Sequence, residues 1–209
     1  SVLAILTDTA TARRFGVPGP NLAGYLYPAT YTVPADAPLD TVLARMVAEY
    51  RKLWTPARRA RADSLGFDER EAITLASIIE REAVVPEERP LIAGVYYNRL
   101  ARGMPLQADP TVQYALAEPR VPRPGTALWK RELTLADLAV PSPYNTYQQA
   151  GLPAGPICNP GLASLDAALQ PAATDALYFV ARGDGSHAFA RTAEEHAANV
   201  RRYQPVGRY

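Results

Sequence analysis

Proline is the residue that most limits how this chain can fold. The 209 residues include 20 prolines, which is about twice the average frequency. They are concentrated in three stretches, 28–38, 105–124 and 141–160. Because proline fixes φ and removes a backbone donor, these stretches are predicted to be rigid, shaped loops. Ordered loops of this kind commonly line a binding site.

Helical patterns dominate the first three quarters of the chain. Residues 1–15 are predicted to form a short helix that stops at Gly16, and Leu39 opens an amphipathic stripe with helical spacing through Leu53. Arg58, Arg59 and Arg61 of the next helix are interpreted as a solvated face, with an anion or surface contact as the alternative. Further helix starts are indicated at Thr55-Pro56, Asp68, Glu87, Asp109-Pro110, Thr134, Ala163 and Thr192.

Strand-like patterns occur in two places. Residues 21–33 are rich in Tyr and Thr and are predicted to be extended, with Pro28 at an edge or bulge. Residues 177–182 and 187–191 flank the turn sequence Gly183-Asp-Gly-Ser and predict a β-hairpin. Helices followed by a strand pair favour an α+β fold: helix-rich, with a small hairpin portion and proline-rich loops lining a cleft.

Composition excludes several classes of function. A net charge of +1 argues against nucleic-acid binding. Two histidines and one cysteine cannot supply a zinc site of the Cys/His type. No phosphate-binding loop, dinucleotide fingerprint or nucleophile elbow is present, so no metal or cofactor is expected. No apolar run is long enough to cross a bilayer. The chemistry left available is acid/base work by carboxyl groups.

The helix predicted over 69–83 carries the best candidates for that chemistry. At 100° per residue, Glu80 and Glu82 fall on opposite flanks of its apolar face. A carboxyl on such a flank can be partly desolvated at the wall of a cleft, which raises its pKa as a general acid requires. Periodicity does not choose between the two residues, and both could instead be solvated charges.

Two loop segments offer candidate binding residues. Asp109 precedes Pro110 in 103–111, where a helix N-cap is a sufficient explanation for it. The proline-rich loops after residue 140 present Tyr144, Asn145, Tyr147 and Asn159. Aromatic faces and amide groups together suit sugar rings, although a purely structural loop explains them equally well.

An ordered set of motifs resembles a known family. The segments are 75–82 (Leu-Ala-Ser-Ile-Ile-Glu-Arg-Glu), 89–100, 103–112 (Gly-Met-Pro-Leu-Gln-Ala-Asp-Pro-Thr-Val), 142–147 (Ser-Pro-Tyr-Asn-Thr-Tyr), 151–161 and the hairpin with its following helix. Together they resemble the YceG-like family, the endolytic murein transglycosylases, over nearly all of residues 20–203. One such motif alone would be weak, but the ordered set is highly specific.

The resemblance implies a lyase that cuts peptidoglycan glycan strands internally at the MurNAc–GlcNAc β-1,4 bond and leaves a 1,6-anhydroMurNAc end. It assigns the catalytic role to Glu80, first as acid and then as base toward the sugar's own C6 hydroxyl. The expected cleft-wall residues are Gln107, Asp109, Tyr144, Asn145 and Asn159.

The resemblance also implies a setting and leaves alternatives open. Residues 1–209 are expected to be one catalytic domain, with the family's membrane anchor and LysM-like subdomain absent, acting outside the cytoplasmic membrane beside peptidoglycan synthases. Ala23 and Ala29 replace acids of the family pattern, which favours a non-catalytic glycan-binding scaffold as one alternative. A hydrolase is the other, and it would need a second acid, Asp109 or Glu82.

Overall fold

A computed structural model describes residues 2–117, 129–130 and 132–204 of the chain. Its helices and strands, in chain order, are α1 Val2–Thr7, α2 Thr9–Arg14, α3 Leu39–Leu53, α4 Pro56–Ser64, α5 Glu69–Glu82, a 3₁₀ helix Pro86–Glu88, α6 Arg89–Ala101, α7 Asp109–Leu116, α8 Leu135–Leu138, α9 Leu162–Leu169, β1 Tyr178–Ala181, β2 His187–Ala190 and α10 Ala193–Tyr203. The α+β prediction is confirmed.

Helix α5 is the centre of the fold. A capping box starts it, in which the Asp68 side chain accepts from the Glu71 amide and the Glu71 side chain accepts from the Asp68 amide. All eight residues from Ala72 to Ile79 are buried, because α4, α6, α7 and α9 pack around this helix. The sequence predicted a single buried face, so the helix is more enclosed than its amphipathic pattern indicates.

The hydrophobic core consists of two clusters of buried side chains. The larger part joins α5 to α6 and α9 through buried aliphatic side chains such as Ile78, Ile92 and Leu165. The smaller part joins residues of α3 to Leu22 and Leu26. Each fully buried aliphatic side chain of this kind contributes about 1.5–3 kcal/mol to folding.

Segment 21–33 is not a strand, which corrects the sequence prediction. The backbone amides of Gly24 and Leu26 donate to the side-chain oxygen of Asn159, at 2.7 and 3.3 Å. Gly24 has φ of +91°, and a Cβ there would lie 2.5 Å from Pro156. Two backbone amides of the segment therefore bond to a side chain, and its backbone packs against a proline. The strand prediction expected hydrogen bonds to a neighbouring strand instead.

The hairpin forms with the predicted turn. Strands β1 and β2 are antiparallel, with Phe179 opposite Phe189 and Ala181 opposite His187. Helix α10 follows at once and packs on both strands. The first fifteen residues differ from prediction, since Asp8 caps the start of α2 and divides them into two helices.

Candidate active site

A cleft of about 600 Å³ lies where several parts of the chain meet. The C-terminal end of α5, loop 105–109, the β-hairpin and helix α10 each contribute side chains to its lining. Two of the three proline-rich stretches reach it, the second through Gln107 and the third through Tyr147. Residues 118–124 of the second stretch lie outside the described residues, so the prediction for that part stays a prediction.

Glu82 is the carboxyl group of α5 that faces this cleft. It is the last residue of the helix, where the helix dipole disfavours negative charge. Desolvation raises its pKa to about 8, and the negative charge of Asp109 contributes to the rise. A carboxyl with this pKa is largely protonated at neutral pH, which is the state that a general acid needs.

Two tyrosine hydroxyls donate hydrogen bonds to the carboxyl groups of the cleft. The hydroxyl of Tyr96 donates to Oε1 of Glu82 at 3.0 Å, and the hydroxyl of Tyr147 donates to Oδ1 of Asp109 at 2.6 Å. The N-cap of α7 is Ala108, so Asp109 is not the N-cap that its position before proline predicted. Its carboxyl instead lies in the cleft beside Glu82.

Glu80 points to a different part of the protein. Ser164 Oγ donates to its Oε2 at 2.5 Å, and the Gly161 amide donates to the same oxygen at 3.3 Å. Gly161 is the N-cap of α9 and Ser164 lies in its first turn, so this carboxylate stabilises the start of a helix. Glu80 is not among the residues that line the cleft. The geometry therefore does not support the catalytic role that the resemblance assigned to Glu80.

Gln107 is placed in the cleft by an unusual backbone conformation. Its φ is +51°, and it is the one non-glycine residue with positive φ in the described chain. Arg99 donates from Nη1 to its side-chain oxygen at 3.2 Å and to the carbonyl oxygens of Pro105 and Leu106. A strained residue that a buried arginine holds in place is typical of a binding site.

The other three predicted binding residues have structural roles or lie elsewhere. Asn145 is 0% exposed, and its amide group bonds to backbone groups of Leu138, Val140 and Tyr147. Asn159 holds segment 21–33, as described above. Tyr144 packs against the ring of Tyr114 at 4.6 Å and does not line this cleft. Loop composition indicated this region as a candidate but could not show which side chains point inward.

Sequence reasoning missed several residues at the cleft. Arg99 and His187 line it, and Tyr96 donates to Glu82 from outside its lining. All three stand in segments quoted for the resemblance, yet none was assigned a role. Their only signal was membership of those segments, since no local pattern shows that α6 and the hairpin approach the same end of α5. Among the described residues, no group of His, Cys, Asp and Glu side chains is arranged to hold a metal ion. No helix in the described ranges is long and apolar enough to span a membrane.

Comparison with known proteins agrees with this architecture. The chain is 38% identical over 183 residues to the endolytic murein transglycosylase of Bacillus subtilis (strain 168), covering 87% of this chain and 48% of that protein. It is 35% identical over 180 residues to the protein of the same name from Streptococcus pneumoniae (strain D39), covering 86% of this chain and 32% of that protein. The chain thus spans about half or less of these relatives.

A solved structure is similar in fold. The crystal structure of a YceG-like protein from Listeria monocytogenes superposes with a TM-score of 0.80 at 38% identity, covering 94% of this chain and 66% of that one. A sequence profile of the YceG-like family matches residues 3–202. This chain belongs to the YceG-like family.

Proposed function

We propose that this chain cleaves glycan strands of peptidoglycan internally, at the MurNAc–GlcNAc β-1,4 bond, and leaves a 1,6-anhydroMurNAc end. The names of the relatives support the general activity, endolytic murein transglycosylase. The observation that carries the proposal is a cleft in which a carboxyl group with a pKa of about 8 lies beside a second carboxylate.

Glu82 is the proposed general acid. In its neutral form it donates its proton to the glycosidic oxygen as the C1–O bond breaks and positive charge develops at C1. The resulting carboxylate then accepts the proton of the sugar's C6 hydroxyl, whose oxygen closes on C1. One carboxyl group thus serves both steps, because the attacking oxygen belongs to the substrate. Its pKa suits both roles near neutral pH.

Neighbouring side chains support that cycle. The negative charge of Asp109 keeps the Glu82 proton in place before reaction. Tyr96 donates to the carboxylate and so stabilises the ionised form that follows proton transfer. Gln107 and Asp109 are retained as proposed substrate contacts, since both line the cleft. Asn145 and Asn159 are not retained, because their side-chain oxygens or amide groups are bound to the backbone.

Hydrolysis is the second candidate function. A hydrolase of the common type needs two carboxyl groups, and the presence of Asp109 in the cleft of Glu82 is the observation that favours it. The two candidates differ in product: the transglycosylase leaves an anhydro end and the hydrolase leaves a reducing end.

The test is digestion of purified glycan strands, with mass spectrometry of the products. The wild-type chain is expected to release fragments with anhydro ends. Glu82→Gln is expected to lower the rate at least about 100-fold, the usual contribution of a general acid. Glu80→Gln is the matched control, because Glu80 lies two residues earlier on the same helix but its carboxyl group contacts α9. This variant is expected to retain cleavage at reduced stability. Loss of cleavage in Glu80→Gln with retention in Glu82→Gln would restore Glu80 as the acid.

The setting of the reaction is also a proposal. Peptidoglycan strands are the proposed substrate, on the outer side of the cytoplasmic membrane, with synthases as proposed partners and a membrane anchor in the full-length protein. A non-catalytic scaffold would bind strands without releasing products, so the same digestion distinguishes it.

A further inference from the structure

A glutamate and a histidine form a buried pair at the wall of the cleft. The backbone amide of His187 donates to Oε1 of Glu88 at 3.0 Å, and Nδ1 of its ring lies 2.6 Å from Oε2 of the same carboxyl group. The side chain of His187 is 7% exposed and that of Glu88 is 16% exposed. One carboxylate therefore holds both the backbone and the ring of a histidine that stands 99 residues further along the chain.

The two contacts determine where the proton of the imidazole lies. A backbone N–H can only donate and an ionised carboxylate can only accept, so an ionised Glu88 accepts both hydrogen bonds. Nδ1 then carries the proton that lies between it and Oε2. In a neutral imidazole this leaves Nε2 without a proton, as an acceptor.

The Nε2 atom belongs to a side chain that lines the cleft. His187 lines the cleft together with Glu82, and Nε2 is not one of the sealed polar atoms that lack a partner. The ring of Phe179 meets the ring of His187 edge to face at 5.2 Å and the ring of Tyr96 edge to face at 5.8 Å. Since Tyr96 also donates to Glu82, continuous packing fixes the imidazole relative to the carboxyl group.

We propose that His187 is a substrate-binding residue whose bare Nε2 accepts a hydrogen bond from a hydroxyl or acetamido N–H of an N-acetylated sugar. Glu88 is the positioning residue that fixes this tautomer. The identity of the ligand rests on the proposed function, whereas the tautomer does not. In such a cleft, two carboxyl groups and an imidazole nitrogen are available to the donor groups along a glycan strand.

Glu88→Gln reverses the polarity of Nε2 while leaving the ring in place. The glutamine oxygen accepts the backbone N–H of His187, and the glutamine NH₂ then donates to Nδ1. The imidazole proton moves to Nε2, which becomes a donor. Glu87→Gln is the matched control, because Glu87 is the adjacent residue of the same 3₁₀ helix and is exposed.

The first measurement is ¹⁵N NMR of histidine-labelled protein at mildly alkaline pH. The chain has two histidines, and His196→Gln assigns their signals. The wild type and Glu87→Gln are expected to show a pyridine-like Nε2 of His187, and Glu88→Gln a pyrrole-like one. A pyrrole-like Nε2 in the wild type would overturn the inference.

The second measurement is affinity for purified glycan strands, made in the Glu82→Gln background so that strands are not cut. Glu88→Gln and His187→Phe are each expected to weaken binding about tenfold, the worth of one neutral hydrogen bond, while Glu87→Gln leaves it unchanged. Equal binding by all three variants would overturn the inference alone. If Glu82→Gln itself binds no strands, the proposed function fails, and the tautomer result still stands separately.

Discussion

The hydroxyl of Tyr96 donates a hydrogen bond to Oε1 of Glu82 at 3.0 Å. Tyr96 is 1% exposed, so this contact is made away from bulk water. The effect of this hydrogen bond on the pKa of Glu82 is opposite to that of the two larger influences on it. Desolvation and the charge of Asp109 raise the pKa of Glu82, whereas the Tyr96 hydroxyl lowers it by stabilising the carboxylate.

Removal of that hydroxyl should therefore raise the pKa of Glu82 further. In Tyr96→Phe, the basic limb of the pH–rate profile for strand cleavage is expected to move up by about one pH unit. The control is Tyr97→Phe, whose hydroxyl donates to the carbonyl oxygen of Ala168. Both variants should lose about 1 kcal/mol of unfolding free energy, but only Tyr96→Phe should change the profile. A downward shift would contradict this account of Glu82.

Asp109 should have the opposite effect. Asp109→Asn removes a negative charge that disfavours the ionised form of Glu82, while its side-chain oxygen can still accept from Tyr147. The basic limb of the profile is expected to move down by about one pH unit. Asp63→Asn, an exposed position on α4, serves as the control and should leave the profile unchanged. An unshifted limb in Asp109→Asn would remove Asp109 from the electrostatics of the site.

The raised pKa of Glu82 also predicts how stability varies with pH. A carboxyl group whose pKa is higher in the folded state than in the unfolded state contributes stability at low pH, and this contribution is lost as pH rises from 4.5 to about 8. Glu82→Gln carries no charge at either end of that range. Its gain in unfolding free energy over the wild type should be about 4 kcal/mol larger at about pH 9 than at about pH 5. Urea unfolding at the two pH values measures it, and parallel curves would count against a buried Glu82.

Local signals predicted α5 well and left its chemistry open. The capping box of Asp68 and Glu71 defines where the helix starts, and the apolar period defines its inner face. The choice between Glu80 and Glu82 depends on where α9, loop 105–109 and the hairpin pack. These contacts join residues that are distant in the chain, such as Glu80 and Ser164, which are 84 positions apart. No local pattern contains that information.

For segment 21–33, the sequence predicted the wrong secondary structure. Its Tyr and Thr content is typical of a strand, but the backbone amides of Gly24 and Leu26 donate to the side chain of Asn159, 135 and 133 residues away. Strand preference reflects fit to a half-buried pleated surface. Here Leu22 and Tyr25 are buried but pack without a neighbouring strand. The composition of the segment therefore indicated that it is partly buried, but it predicted the wrong backbone conformation.

The arginines of α4 make specific contacts, although much of their surface is exposed. Arg61 donates from Nε to the carbonyl oxygen of Leu169, the last residue of α9, at 2.8 Å. Arg58 bonds to Asp166 on the same helix at 2.9 Å. The interpretation of a merely solvated face is therefore wrong for these two residues, whose role is to fasten α4 to α9.

Arg61→Ala should accordingly lower the unfolding free energy by about 1–2 kcal/mol, because it leaves the C-terminal carbonyl of α9 without its partner. Arg61→Lys should recover only part of this loss, since an ammonium cannot reproduce the planar guanidinium geometry. Thermal unfolding measures both, with the exposed Arg102→Ala as control. Strand cleavage below the melting temperature should be unaffected, since α4 contributes no residue to the cleft. Equal melting temperatures for Arg61→Ala and Arg102→Ala would show that the contact adds nothing to stability.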